Sequence, residues 1–444
     1  MKRIRSMSEG EFLKLFFAFF TAAFLIAAVI MPDRGSMLSG LWQILSQPSK
    51  LSTNYFFVGG YSATFLNMGL VALICLLLYI VFGATPTNVS TLAFVLTLGF
   101  GSWGINILNI WPTIFGVMIY CVVKKEKFGA NVNAMLFSTG IAPLITDLMI
   151  RYPNAEAVGF NLEGILIALV VGFFIGFFLP AGLANSPKVH KGFDLYSAAL
   201  PIGMTAFFLN ATLFKTLGVA LPAGADAAQL QVASRLTVNT FCLILFGLCI
   251  LFAFLLGCRP KDYWQLIIDP ELVTNFSSTY GNPVFLMNVG VFGLFILGYY
   301  NLIGASFNGV TFGIIFCMLA TCNSGSHPGN VLPIMIGYML AAWAASWRSL
   351  MSGGVFTQAI HAQAICVGLC YANGLSPITD KYGWLYGMLA ASMHYLLVTS
   401  VPTLHGGYCL YNGGFTAALI CILLIPQLER FAKTKAERKA LKNK

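Results

Sequence analysis

Gly325-Ser-His-Pro-Gly-Asn-Val-Leu-Pro333 sits between two apolar runs and carries no charge. A stretch of the same layout lies in the first half, Gly104-Ile-Asn-Ile-Leu-Asn-Ile-Trp-Pro112. Gly104 answers Gly325, Asn109 answers Asn330 and Pro112 answers Pro333, each at a separation of 221 positions (325 − 104). Amides, glycine and proline in the middle of hydrophobic sequence are costly in lipid unless they are buried in protein or line a wet cavity. Such an arrangement occurring twice is the strongest pointer in the chain to a working site.

The match spreads outward from these two stretches. At the same separation, Asn67 pairs with Asn288, Gly69 with Gly290, Gly83 with Gly304, Val89 with Val310, Gly116 with Gly337 and Met118 with Met339. Further on, Gly140-Ile-Ala-Pro-Leu-Ile-Thr-Asp147 resembles Gly374-Leu-Ser-Pro-Ile-Thr-Asp380. His190-Lys-Gly-Phe-Asp-Leu-Tyr196 resembles His405-Gly-Gly-Tyr-Cys-Leu-Tyr411. Apolar composition produces chance matches of Leu and Val, but not ordered matches of Asn, Gly, Pro, His and Asp. The chain is an internal duplication.

Composition sets the class. Of 444 residues 58% are hydrophobic and 9% charged, and the mean hydropathy is +0.81. Ordinary soluble domains do not have this balance. Apolar runs long enough to cross a bilayer recur from end to end, so the reading is a polytopic integral membrane protein in contact with lipid. The net charge of +10 is not a nucleic-acid footprint. It collects in Lys2-Arg3-Ile4-Arg5, in the tail 430–444 and in short loops such as Lys124-Lys125-Glu126-Lys127. Basic clusters beside apolar spans mark the cytoplasmic side. The 11 Cys are scattered with no Cys-x-x-Cys, which fits small buried hydrophobes better than a metal site.

The expected architecture is all-α, about fourteen membrane segments in two repeats. The first half places spans at 12–31, 62–82, 89–108, 110–123, 131–147, 164–184 and 195–214. An additional span at 236–256 precedes a basic loop, Arg259-Pro-Lys-Asp262. The second half then repeats with 283–304, 310–322, 331–345, 359–377, 384–402 and 409–426. This divides the chain into an N-terminal segment with the first span (1–50), repeat 1 (51–218), a linker with a connecting span (219–275), repeat 2 (276–428) and a basic tail (429–444). With the N-terminus cytoplasmic, Lys124-Lys125, Arg259 and the tail all fall inside. Span two then runs inward and its counterpart outward, so the repeats are inverted, an organisation common in transporters. Arg348 falls outside, against the trend. The short Gly-rich pairs are candidates for re-entrant hairpins, which changes the span count but not the inversion.

Two constellations carry the candidate chemistry. In Asn109-x-x-Pro112 and Asn330-x-x-Pro333 a side-chain amide precedes a proline, which frees a backbone carbonyl, and nearby Gly104 and Gly325 permit close approach of a ligand. With Asn106, His327, Asn67 and Asn288 they form the expected substrate-binding set. The competing reading is a kinked helix packed through glycine, with the amides bonding neighbouring helices. The second constellation pairs Thr146 and Asp147 with Thr379 and Asp380, after Pro143 and Pro377. These four are the expected coupling-ion set, against a plain helix-capping role. Of the five His, His327 stands out because it occupies the position answering Asn106. A buried His shuttles protons near neutral pH, although a satisfied structural His is the ordinary case. His190, His361, His394 and His405 carry no motif.

No phosphate-binding loop, His-Glu-x-x-His or Gly-x-Ser-x-Gly occurs, so no ATP motor, cofactor, metal or enzyme activity is expected. The doubled block with Asn-x-x-Pro and Pro-x-Thr-Asp, spanning about 52–428, resembles an uncharacterised bacterial membrane family, a domain of unknown function carried twice in one chain. The resemblance implies a membrane location and no assigned activity. Ser306-Phe-Asn-Gly-Val310 and Leu410-Tyr-Asn-Gly-Gly414 are also similar to a Tyr-Asn-Gly stretch of urea channels, which are inverted repeats. The first-half positions Thr87-Asn88 and Tyr196-Ser197 do not preserve it, so no site residues are carried over.

The expectation is therefore transport of a small polar solute across the bacterial inner membrane, between two inverted halves, with protons or sodium as candidate coupling ions. A passive channel for a neutral solute such as urea and a membrane-embedded enzyme acting on a lipid-like substrate are the alternatives. Homo-oligomerisation is a further expectation.

Overall fold

The computed structural model describes residues 4, 7–50, 53–153, 159–219, 232, 234–269, 272–353 and 358–442. Parts of the sequence reading lie outside them: Lys2, Arg3 and Arg5, positions 220–231 of the linker, and Asn443 and Lys444. Among the described residues every regular element is helical. Eight helices are long and apolar enough to cross a membrane, and four shorter apolar helices accompany them. The protein is an all-α, multi-pass membrane protein.

The repeat is visible helix by helix. Tyr55–Val81 is interrupted at Gly60, which has φ +84°. Its counterpart is two helices, Phe276–Thr279 and Asn282–Leu302, separated at Gly281 with φ +89°. Both breaks use a left-handed backbone that glycine alone adopts without strain. Asn54 and Asn275 cap the two starts through their side chains, satisfying helix-end N–H groups that lipid cannot. Next come the short helices Asn88–Phe100 and Gly309–Leu319, each opened by a reciprocal capping box, Thr87 with Ser90 and Asn308 with Thr311.

These two short helices form the centre, and their contacts fix the handedness of the pairing. Ser102 Oγ, just past the end of the first, donates to Gly309 O at the start of the second (2.7 Å). Asn323 Nδ2, past the end of the second, reaches Thr91 Oγ1 near the start of the first (3.3 Å). The helices are antiparallel, so the halves are inverted. A Cβ on Gly99 would stand 2.7 Å from Gly313 O. Only glycine permits this approach, which is how helices associate where lipid supplies no hydrophobic drive.

The duplication reaches further than the sequence boundaries 51 and 276. The first span, Glu9–Ile30, packs on Tyr55–Val81, with Leu25 against Gly69. The connecting span, Arg235–Leu255, packs on Asn282–Leu302 in the same manner, with Ile250 against Gly290. Each half then continues through a long arm, Trp111–Lys124 or Pro328–Ser352, which packs closely on Leu162–His190 or Trp384–Val398. In each half a Gly on the arm, Gly116 or Gly337, meets the backbone of that neighbour. The Arg259–Asp262 stretch is not a loop: Pro260 starts a helix, Pro260–Ile268, and Arg259 pairs with Asp262 at 2.9 Å.

The two faces differ in charge. Glu9, Lys124–Lys127, Lys191, Arg259, Lys381 and the C-terminal helix Lys435–Lys442 share one face, through contacts such as Lys191 with Glu429 (2.5 Å) and Phe82 with Phe128 (5.2 Å). The opposite face carries Asp33, Lys50, Asp147, Arg151 and Arg235, linked by contacts such as Asp33 Oδ2 to Tyr61 N (2.7 Å) and Arg235 to Ala305 O (3.3 Å). They are called here the terminal and distal faces.

Candidate functional site

The duplicated amides act on backbone. Asn106 and Asn109 staple the turn between Asn88–Phe100 and Trp111–Lys124. Asn106 Oδ1 accepts from Leu108 N (3.0 Å) and Asn109 N (2.9 Å), and Asn109 Oδ1 accepts from Asn106 N (2.9 Å). Asn109 Nδ2 donates to Gly104 O (2.9 Å) and Thr146 Oγ1 (2.8 Å). In the second half His327 Nδ1 accepts from Gly329 N (3.1 Å) and Asn330 Oδ1 from His327 N (3.0 Å). Asn330 Nδ2 donates to Gly325 O (2.8 Å) and Asp380 Oδ2 (2.7 Å). Asn67 holds Gly101 O and Ile105 O; Asn288 holds the equivalent Cys322 O and Ser326 O. Pro112 lies in the first turn of its helix, and Pro333 is buried within Pro328–Ser352. Gly325 has φ +129°, while Gly104 is pressed on Leu410 and Pro143.

The structure thus gathers Asn67, Gly104, Asn106, Asn109 and Thr146 into one network, and Asn288, Gly325, His327, Asn330 and Asp380 into another. Among the described residues no hydrogen bond joins the two. The first ends beside Asp147 on the distal side, and the second beside the terminal face. The pairing of the acids also changes. Thr146 and Asp380 occupy the same place, each bonded to the duplicated Asn, so Asp147 answers Lys381 instead. The sequence alignment inserted a gap to match Thr-Asp with Thr-Asp, but the helical register runs ungapped from Gly140 and Gly374. Nor do Thr146, Asp147, Thr379 and Asp380 cap helices. Pro143 and Pro377 begin the helices, and the four follow inside them.

These helices are second segments of broken ones. Val132–Ser138 passes through a tight turn, Thr139–Ile141, into Ala142–Arg151. Gln363–Ala372 passes through Asn373–Leu375 into Ser376–Tyr382. Each break is clasped by the opposite half. Leu410 N donates to Gly140 O (2.9 Å), and Leu195 N donates to Gly374 O (3.0 Å). The clasping loops are themselves equivalent. His190 Nδ1 accepts from Asp194 N and its Nε2 meets Ser197 Oγ (2.9 Å). His405 Nδ1 accepts from Cys409 N and its Nε2 meets Asn412 Oδ1 (2.8 Å). A small residue is required at each break, since a Cβ on Gly374 would lie 2.6 Å from the Tyr196 ring, and the Tyr411 ring closes on Gly140 likewise.

The comparisons with known proteins agree with this organisation. The family described as "Protein of unknown function (DUF1576)" matches residues 33–215 and again 260–430. The chain belongs to the DUF1576 family. Two copies in one chain are the two halves described above. No curated protein and no solved structure matches.

Between the two DUF1576 units the interior is closed by tyrosines. Tyr196, Tyr371 and Tyr411 are fully buried, with Tyr196 and Tyr371 in edge contact at 4.9 Å. Tyr196 Oη donates to Cys317 O (2.8 Å) and lies 3.0 Å from Cys370 O. Tyr371 Oη donates to Leu410 O (2.7 Å). Tyr411 Oη has no partner among the described residues. Two cavities open at the ends of the molecule, and neither is lined by these tyrosines. One of about 290 Å³ enters from the distal face, between Lys50 of the first unit and Gln363, Thr399 and Asn412 of the second. Beside it Tyr408 Oη donates to Asp147 Oδ2 (2.9 Å), and Arg151 lies 3.6 Å from Asp147. Burial pulls the Lys50 amine below its ordinary value, and Asp147 opposes that shift. The other, about 690 Å³, opens on the terminal face among Glu9, Asp262, Gln265 and Ser277.

Sequence reasoning passed over several of these groups. Trp103, Asp194, Asn373 and Tyr411 are all buried with a polar atom that finds no partner. His361, read as part of a span, lies in an exposed turn before Gln363. Asp194 was legible as the acid in His190-Lys-Gly-Phe-Asp-Leu-Tyr196, where its counterpart is Cys409, but a loop position hid its burial.

Proposed function

We propose that this protein carries a small polar solute across the membrane by alternating access between its two inverted halves. The observation that supports this most is the reciprocal clasp. Two broken helices, one per half, are each held at the break by a loop of the other half. Broken helices within the membrane are where transporters expose carbonyls and helix ends to a solute. Exchanging the clasps opens one side while closing the other, because the contacts are equivalent but not identical. The buried tyrosines where the halves meet fit a closed stage of such a cycle better than a standing channel.

The solute enters, in this reading, through the distal cavity over Lys50, Gln363 and Asn412. The basic residues of the terminal face favour a cytoplasmic location for that face, and the distal cavity is then on the outside. The duplicated amides hold the frame of the path instead of contacting the solute.

Flux into proteoliposomes with a panel of small polar solutes tests the proposal. Accumulation that depends on a pH or sodium gradient is the expected result. Passive equilibration would replace the transporter with a channel. Turnover of a lipid without flux would replace both with an enzyme.

A further inference from the structure

The two helix breaks share a backbone but not a chemistry. At the second, Asn373 is fully buried; its Nδ2 donates to Met318 O (2.8 Å) and Thr321 Oγ1 (3.2 Å), and its Oδ1 has no partner among the described residues. Against the adjacent Gly374 lies Asp194, 2% exposed. Asp194 Oδ1 accepts from Tyr196 N (2.9 Å), and its Oδ2 has no partner among the described residues. Two helices end near this break. Gln363–Ala372 ends at Asn373, and Gly309–Leu319 ends at the turn that supplies Met318 O and Thr321. Helix C-termini carry partial negative charge. Two helix ends, a carboxyl group and an amide oxygen therefore lie at one break.

No positive charge answers them. The titratable and charged groups packed around Asp194 are His190, Tyr196, Cys421 and, over the Phe193 ring at 5.0 Å, Lys381. None forms an ion pair with Asp194 among the described residues. An isolated buried carboxylate is costly and calls for a cation or a proton. At the first break the equivalents are Thr139 and Cys409. Thr139 Oγ1 returns its bond to Leu136 O (2.6 Å), so nothing there calls for charge.

We propose that Asp194 and Asn373, at the Asn373–Leu375 break, bind one monovalent cation, a sodium ion or a proton. Its role in driving solute movement rests on the transport reading; its binding does not. Because the clasp Leu195 N to Gly374 O is one residue from each ligand, cation occupancy bears directly on the contact that holds the halves together.

The test uses the purified full chain in detergent and needs no solute. Thermal unfolding is followed in sodium chloride against choline chloride at equal ionic strength, from pH 5 to 9. For a sodium ion, the midpoint rises by about 3 °C in sodium at neutral pH, and Asp194→Asn abolishes the rise. For a proton, sodium has no effect, but the midpoint falls with rising pH in the native chain more than in Asp194→Asn. A second measurement needs no variant. Labelling of Asp194 by dicyclohexylcarbodiimide, located by mass spectrometry, should fall as sodium or pH rises. Identical unfolding of native chain and variant under all conditions, or labelling indifferent to both, overturns the proposal. Cation binding without solute flux would remove the transport reading and leave this site standing.

Discussion

The first and second helix breaks are the most instructive pair of regions in this protein. Both turn through three residues, both are clasped by a backbone N–H from the opposite half, and both lie beside a fully buried tyrosine. Yet Thr139, Thr146 and Cys409 stand at one where Asn373, Asp380 and Asp194 stand at the other. Duplication copied a frame, and divergence put an acid from each half at one break. A symmetric frame supplies two states of similar energy, while asymmetric chemistry lets a ligand favour one of them.

The comparison is broken most directly at the duplicated amides. Asn330→Leu leaves Gly325 O and the half-buried Asp380 carboxyl without their donor, and should cost about 3–4 kcal/mol. Asn109→Leu abandons Gly104 O and only a hydroxyl, and should cost about 2–3 kcal/mol. Unfolding of both variants in detergent gives the ranking, and equal losses would mean that Asp380 does not depend on its amide.

A smaller difference is expected at the glycines of the breaks. Gly374→Ala pushes on a Tyr196 ring anchored by its hydroxyl, and Gly140→Ala on a Tyr411 ring with no such anchor. Overpacking of this kind costs roughly 1–3 kcal/mol, with Gly374→Ala toward the top of the range. If Gly140→Ala proves the worse, the Tyr196 hydrogen bonds do not stiffen the second break. The smallest effect separates the tyrosines themselves. Tyr196→Phe strands two carbonyls, a loss of about 1–2 kcal/mol, whereas Tyr411→Phe removes a hydroxyl that already lacks a partner and should be neutral within about 0.5 kcal/mol. The same unfolding assay reads both, and a clear loss in Tyr411→Phe would reveal a bond to that hydroxyl.

The frame was legible in the sequence because glycine, proline and asparagine cannot be placed freely in a membrane helix. Gly60 and Gly281, Asn67 and Asn288, Asn109 and Asn330 each recur for a backbone reason. The same fact explains why Asn109 and Asn330 looked like ligand residues. A saturated amide and an available one are spelled alike, and only the Gly104 and Gly325 carbonyls tell them apart. The Thr146 and Asp380 equivalence was hidden because identity favours matching Asp147 with Asp380, whereas helical geometry counts residues from Gly140 and Gly374. Asp194 escaped because its burial comes from the crossing of the two halves, a long-range event with no local signature.

Inversion of the two halves underlies every comparison made above, and the side of the membrane reached by equivalent positions measures it. Thr85 and Ser306 are exposed, lie 221 positions apart and occupy the same turn in their respective halves. The 11 native cysteines are buried, so Thr85→Cys and Ser306→Cys can each be read with a membrane-impermeant thiol reagent applied to one side of sealed vesicles. The account predicts labelling of Thr85→Cys from the side that carries the termini and of Ser306→Cys from the opposite side alone. Labelling of both from one side would mean that the halves are parallel, and the reciprocal clasp and the transport reading would go with it.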